Sequence, residues 1–214
     1  MKGTNTAQLN QVAGVTSVRI EPAGCGPRTI TGTGTAGSTA PVIYPVIYLN
    51  GADNVTIDGL NANGNSLTIS NTTISAVPNT CTIAFQNDAT NNTITNCSVL
   101  GSSTSAVGTA GGNIWFGALA TVTGNDNNTI SNCNIGPAGG NLPSKAIYFS
   151  GTSNALANDN IVINNNNIYD FFSPAVSSSG IDLTTFGVSN LTITNKRFYQ
   201  TLTRTQTTES FIHV

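Results

Sequence analysis

The pattern Asn-x-Thr-Ile-x-(Asn or Gly), or a close variant of it, recurs five times along the 214 residues, at 54–59, 91–96, 127–132, 160–165 and 190–195. Its central isoleucines are Ile57, Ile94, Ile130, Ile163 and Ile193, spaced 37, 36, 33 and 30 residues apart. A second column precedes each copy and alternates apolar, variable, apolar: Ile47-Tyr-Leu49, Ile83-Ala-Phe85, Ile114-Trp-Phe116, Ile147-Tyr-Phe149 and Ile181-Asp-Leu183. That is the period of a strand. A third apolar position follows in four copies, at Val99, Ile135, Ile168 and Phe198. The segment from Leu67 to Asn71 reads as a further strand of the first copy.

A repeat whose length varies while its apolar columns persist has turns that vary and strands that stack. Helical repeats of similar period need amphipathic helices and good helix formers, and the four consecutive asparagines at 164–167 exclude them. Propeller blades need antiparallel hairpins with tight turns, and the turns here are too long. The chain is therefore expected to be all-β, a single-stranded parallel β-helix of about five coils with three short parallel sheets. The expected division is an N-terminal capping segment with the first edge strands over 1–40, the solenoid over 41–199, and a tail or the start of a further, truncated coil over 200–214. Residues Ala7 to Val18 carry Leu9, Val12 and Val15 at a spacing that predicts a short capping helix. The tandem Pro41 to Tyr44 and Pro45 to Tyr48 reads as a local duplication, with Pro opening a strand. No cap is evident after Tyr199, so the expectation is either that the solenoid continues in a longer chain or that this end is buried against another copy.

Stacked coils make ladders of like residues about 4.8 Å apart. The column Asn54, Asn91, Asn127, Asn160 and Asn190 predicts an amide ladder. The column Gly59, Asn96, Asn132, Asn165 and Asn195 predicts a bend with φ > 0. Cys97 and Cys133 share a column and are expected as free buried thiols, because side chains in register lie alongside one another. Pairing of Cys25 with Cys81 is left open by the sequence.

Charged residues make up 7% of the chain, against roughly 25% in ordinary soluble proteins. The net charge of −2 and the scattered basic residues argue against nucleic acid as a partner. No apolar run is long enough to span a bilayer, and the first residues lack a signal peptide's apolar segment.

These columns resemble the right-handed β-helix repeats of the pectate lyase-like superfamily, especially Asn/Thr/Ile-rich segments of large secreted bacterial surface proteins. The resemblance covers roughly Pro41 to Tyr199. It implies a right-handed solenoid, extracellular or cell-surface placement within a longer exported protein, and either a carbohydrate-active or a purely structural role. In such folds the first sheet presents the substrate groove, so its outward residues Tyr48, Ala84, Trp115, Tyr148 and Asp182 are the candidates. Tyr48, Trp115 and Tyr148, with Asp182 beside them, form a carbohydrate-contact surface in this reading, since rings along a sheet can pack on sugar faces. The alternative is that these aromatic residues serve strand propensity on an exposed sheet or are covered by a loop.

Glycosidases need two facing carboxylates. The flanking positions read as outward (Val46, Asn50, Thr82, Gln86, Asn113, Gly117, Ala146, Ser150, Gly180 and Thr184) supply none, which leaves Asp182 alone. The one histidine, His213, lies in the tail and argues against a His-dependent nucleophile. Asp53, Asp126 and Asp159 precede the Asn column and are weak calcium candidates beside a simpler turn-forming role; no other cofactor is expected. The expectation is thus a non-catalytic structural or carbohydrate-binding segment. A polysaccharide lyase or glycoside hydrolase and a self-associating architectural spacer are the alternatives.

Overall fold

The structure is a computed structural model that describes residues 6–33, 45–205 and 208–214. Each rung contributes one strand to each of three sheets. The first rung is β1 (Ala7–Asn10), β2 (Val18–Ile20) and β3 (Pro27–Gly32); the second is β4 (Ile47–Asn50), β5 (Val55–Asp58) and β6 (Ser66–Asn71). Then come β7 (Cys81–Gln86), β8 (Thr93–Thr95) and β9 (Cys97–Gly101), followed by β10 (Gly112–Phe116), β11 (Thr129–Ser131) and β12 (Asn134–Pro137). The fifth rung holds β13 (Lys145–Phe149), a short β14 (Asn158–Asp159), β15 (Val162–Asn164) and β16 (Asn167–Tyr169). The sixth holds β17 (Ser178–Leu183), a short β18 (Val188–Ser189), β19 (Thr192–Thr194) and β20 (Arg197–Tyr199), and β21 (Glu209–His213) follows.

The first sheet has the order β1-β4-β7-β10-β13-β17-β21, the second β2-β5-β8-β11-β15-β19 and the third β3-β6-β9-β12-β16-β20; β14 and β18 pair separately. Every pairing between these strands is parallel, and the whole is a right-handed solenoid of about five turns. The registers join the repeat columns as the sequence aligns them: Ile47, Ile83, Ile114, Ile147 and Ile181 are consecutive partners, as are Ile57, Ile94, Ile130, Ile163 and Ile193. Ile69 pairs with Val99, which makes the 67–71 segment the third-sheet strand of its own rung. The apolar columns fill the bore, where Phe85, Phe116 and Phe149 stack at 4.4 and 4.6 Å between centroids. Rings at that separation attract beyond their buried area.

Three local expectations are corrected. The Ala7–Val18 stretch is not a helix: Ala7 and Leu9 alternate, pair with Ile47 and Leu49, and cover an edge of β4 that a helix would leave unpaired. Gly59 does not adopt positive φ, whereas Asn96, Asn132, Asn165 and Asn195 do, at 48–55°. The first repeat inserts residues 60–65 at this bend and places its left-handed residues at Leu60, Asn61 and Asn63. Gly59 is instead needed for close approach, since a Cβ there would sit 2.0 Å from the Asn96 carbonyl oxygen.

The Asn column, third, is not the continuous amide ladder expected. Asn54, Asn91, Asn127, Asn160 and Asn190 all lie at φ 50–57°. Amide-to-amide bonds run only from Asn160 to Asn127 (3.3 Å) and from Asn190 to Asn160 (3.4 Å). The buried ladder is one residue further on. Asn92 Oδ1 accepts from the Val55 N–H, Asn128 Oδ1 accepts from the Asn92 N–H, and the two amides donate to Ala52, Ala89 and Asn125 carbonyls, all at 2.8–2.9 Å. Asn125 and Asn158 make a second such ladder, and Asn166 alone accepts from the Cys133 N–H and donates to the Ile130 carbonyl; all three are fully or almost fully buried. Buried main-chain groups at rung corners have no strand partner and must be satisfied by side chains. In Asn91-Asn92, Asn127-Asn128 and Asn165-Asn166 the first Asn supplies the left-handed turn and the second supplies the bonds.

The tandem repeat at 41–48 falls partly outside the described residues; of its second copy, Val46 and Ile47 are core residues. All four cysteines are free, Cys25 exposed and Cys81, Cys97 and Cys133 buried. Burial pushes the Cys133 thiol up to about 12 and raises those of Cys81 and Cys97 further. No described helix is long and apolar enough to cross a membrane.

Candidate functional site

The outward column of the first sheet is continuous: Gln8, Tyr48, Ala84, Trp115, Tyr148, Asp182 and His213 are successive register partners. The candidates read from the sequence therefore lie together, but not on an open face. Trp115 is 5% exposed, Tyr148 3% and Asp182 0%, and only Tyr48 is part-exposed. The segment 102–111, between β9 and β10, lies over them, and Ala110 packs on the cluster of Cys81, Ala84, Trp115 and Tyr148.

Polar contacts fasten this segment down. The Tyr148 hydroxyl donates to the Gly108 carbonyl at 2.9 Å, and the Gly108 N–H donates to Asp182 Oδ2 at 2.8 Å. Lys145 Nζ donates to the Ala106 and Thr109 carbonyls. The Lys145 side chain is wholly buried, with Nζ 3.9 Å from Asp182 Oδ2 and 4.9 Å from the centre of the Tyr148 ring. Burial brings the Lys145 ammonium down to about 8 against the opposing pull of Asp182. Burial, with the Asp182 charge adding to it, raises the Tyr148 phenol to about 12. Trp115 Nε1 donates to Ser150 Oγ at 3.1 Å, so even the indole tip has an internal partner.

His213 is the residue that sequence reasoning placed apart from this site. Its Nδ1 lies 2.8 Å from Asp182 Oδ1, and its side chain is 44% exposed. The signal was present: Ile212-His213-Val214 repeats the apolar, variable, apolar pattern of Ile181-Asp-Leu183, and Ile212 pairs with Ile181. Lys145 was missed because its column, two positions before the strand pattern, holds Cys81 and Gly112 in the preceding rungs and shows no periodic type.

Several positions read as outward face inward instead. Val46 and Ala146 belong to the core, Thr82 donates to the Leu100 carbonyl, and Asn113 donates to the Val99 and Gly136 carbonyls. The chain bends into the strand there, which turns the residue before each Ile column toward the third sheet. Among the described residues, no second carboxylate stands beside Asp182, whose close polar neighbours are Gly108, Lys145 and His213. A cavity of about 410 Å³ lies between Ala106–Val107 and the 173–177 loop, lined by small and apolar residues with no titratable group.

Asp53, Asp126 and Asp159 stitch rungs. Asp53 Oδ1 accepts from both N and Oγ1 of Thr90 at 2.8 Å, Asp126 Oδ1 accepts from the Asp159 N–H at 2.8 Å, and Asp159 accepts from Ser189. Burial, with the facing Asp159 charge adding to it, raises the Asp126 carboxyl above its ordinary value. Among the described residues, no group of three or more His, Cys, Asp or Glu could hold a metal ion.

Comparison with family models and with curated proteins finds no match for this chain. The parallel β-solenoid itself is the level at which the structure assigns it.

Proposed function

We propose that this chain is a non-catalytic structural segment of an exported or cell-surface protein, a β-solenoid whose first sheet is sealed rather than open to substrate. One observation carries the reading: Lys145, Tyr148 and Asp182, the groups on that sheet with the most chemistry to offer, are all bonded to the segment that covers them. A surface of neutral amides and hydroxyls, with 7% charged residues, supports placement outside the cell in the manner of the Asn/Thr/Ile-rich segments it resembles. Kinship with the pectate lyase-like superfamily rests on the repeat columns. Sugar contact through Tyr48, Trp115 and Tyr148 requires residues 102–111 to lift away. A lyase or hydrolase further requires a partner for Asp182. Incubation with a panel of plant, algal and bacterial polysaccharides, with and without calcium, is expected to give no depolymerisation. Cleavage that Asp182→Asn abolishes overturns this reading.

The spacer reading, with copies meeting end to end, draws on a separate observation. Toward one end Phe211 stacks on Phe198 at 5.6 Å while 58% exposed, and Leu202 is 65% exposed; toward the other, Val12 and Val15 are 56% and 44% exposed. Sedimentation across a wide concentration range tests it: growth in mass that Phe211→Ser suppresses is the expected result, and a monomer throughout rejects it.

A further inference from the structure

We propose that Lys145 and Asp182 condense into an intramolecular amide, an isopeptide cross-link between adjacent rungs that forms without any added reagent. The two residues sit on β13 and β17, neighbouring strands pinned in register by the pairs Lys145↔Ser179 and Tyr148↔Asp182. Nζ stands 3.9 Å from Oδ2, and neither side chain is exposed to solvent. Reacting atoms held this close gain an effective molarity that can reach about 10⁵–10⁸ M when they come to roughly 3–3.5 Å. The small closing movement is along the flexible lysine stem.

The surroundings match what the step requires. Two opposite charges in a dry site are costly to keep, and transfer of one proton from ammonium to carboxylate leaves a neutral amine and a carboxylic acid. The lowered basicity of the buried lysine favours that exchange. The amine lone pair of Nζ then attacks Cγ of Asp182. As the Nζ–Cγ bond forms, the carbonyl electron pair moves onto Oδ2, where the Gly108 N–H already donates at 2.8 Å. A donor placed at the oxygen where charge develops is the arrangement that stabilises a tetrahedral intermediate. One proton leaves Nζ and reaches the hydroxyl on Oδ1, whose neighbour at 2.8 Å is His213 Nδ1, a relay that both accepts and donates. The Cγ–Oδ1 bond breaks, water departs, and Oδ2 regains its double bond to carbon. One amine, one acid, one amide and one water balance, with no oxidant or second substrate. Tyr148 walls the site, with its ring 4.9 Å from Nζ, and residues 102–111 keep bulk water from reversing the reaction.

Intact-mass spectrometry of the purified, folded chain tests this directly. The expected mass is the sequence mass less one water, with proteolysis yielding a branched peptide that joins residue 145 to residue 182. Lys145→Arg and Asp182→Ala are expected at full mass, and His213→Ala is expected to slow condensation by about 100-fold or more, the contribution of a positioned acid-base group. A full sequence mass for the wild type, folded by circular dichroism and held for days above pH 8, overturns the proposal. So does a water loss that persists in Lys145→Arg, since cyclisation at Asp58-Gly59 would produce the same deficit without the lysine.

Discussion

Two neighbouring asparagines in one rung do different work, and a substitution series separates them. Asn127 holds φ 55° and is exposed, so Asn127→Gly keeps the turn and is expected to change stability by only a few tenths of a kcal/mol. Asn128 is fully buried and serves the Asn92 N–H and the Ala89 and Asn125 carbonyls. Asn128→Ala strands those groups at roughly 1–3 kcal/mol each, so urea unfolding is expected to register a loss of at least about 2 kcal/mol. Asp88 offers a pH-dependent counterpart. Partial burial disfavours its charge, but the N–H groups of Gly124, Thr123, Thr121 and Val122 outweigh this and hold the carboxyl down at about 2. A folded value below the unfolded one of about 3.9 means the stabilisation is complete above roughly pH 5 and fades as pH falls toward 2. The melting-temperature gap between wild type and Asp88→Asn is therefore expected to close as pH is lowered from about 5 to 2; a constant gap would show that the carboxylate charge is not what fastens the 117–124 loop.

At the scale of elements, the 102–111 segment and the first sheet depend on each other. Trp115 fills the space beneath the segment, and its replacement by alanine leaves a void that the in-register strands cannot collapse around. Trp115→Ala is expected to lower unfolding free energy by about 3–5 kcal/mol and to expose the amides of 102–111 to hydrogen exchange. Unchanged stability would mean that the segment is not held by this side chain. The bend between the second and third sheets has the opposite sensitivity. A Cβ at position 59 would meet backbone atoms of Asn96 and Cys97 at 2.0–3.3 Å. Gly59→Ala must therefore push two rungs apart, and it is expected to cost more than Asn96→Gly at the same bend one rung on.

For the whole molecule, each rung touches only its neighbours, so stability is a sum of rung terms and interface terms and is lowest where a neighbour is missing. The burial of strands follows this rule within a sheet: β8, β11 and β15 each bury their central isoleucine, whereas β19 at the end of the same sheet has no fully buried residue. Native-state hydrogen exchange is expected to be slowest in β7, β10 and β13 and to quicken toward β2, β19 and β20. Uniform protection across all rungs would argue against this nearest-neighbour picture. Because every sheet contact spans about one rung of sequence, folding is expected to be slow relative to helical proteins of the same length.

The repeat spacing by itself determined the parallel solenoid, its three sheets and its register, because in-register stacking writes the same residue type into each rung and so leaves a visible period. It also brought Tyr48, Trp115, Tyr148 and Asp182 into one column. What it could not determine was anything decided between rungs by non-repeating residues: that 102–111 closes over the column, that Lys145 and His213 join Asp182, and that Asn92, Asn128 and Asn166 point inward. Those outcomes depend on where loops of unequal length come to rest and on which buried main-chain groups lack a partner. Such quantities have no period in the chain and exist only once the rungs are stacked.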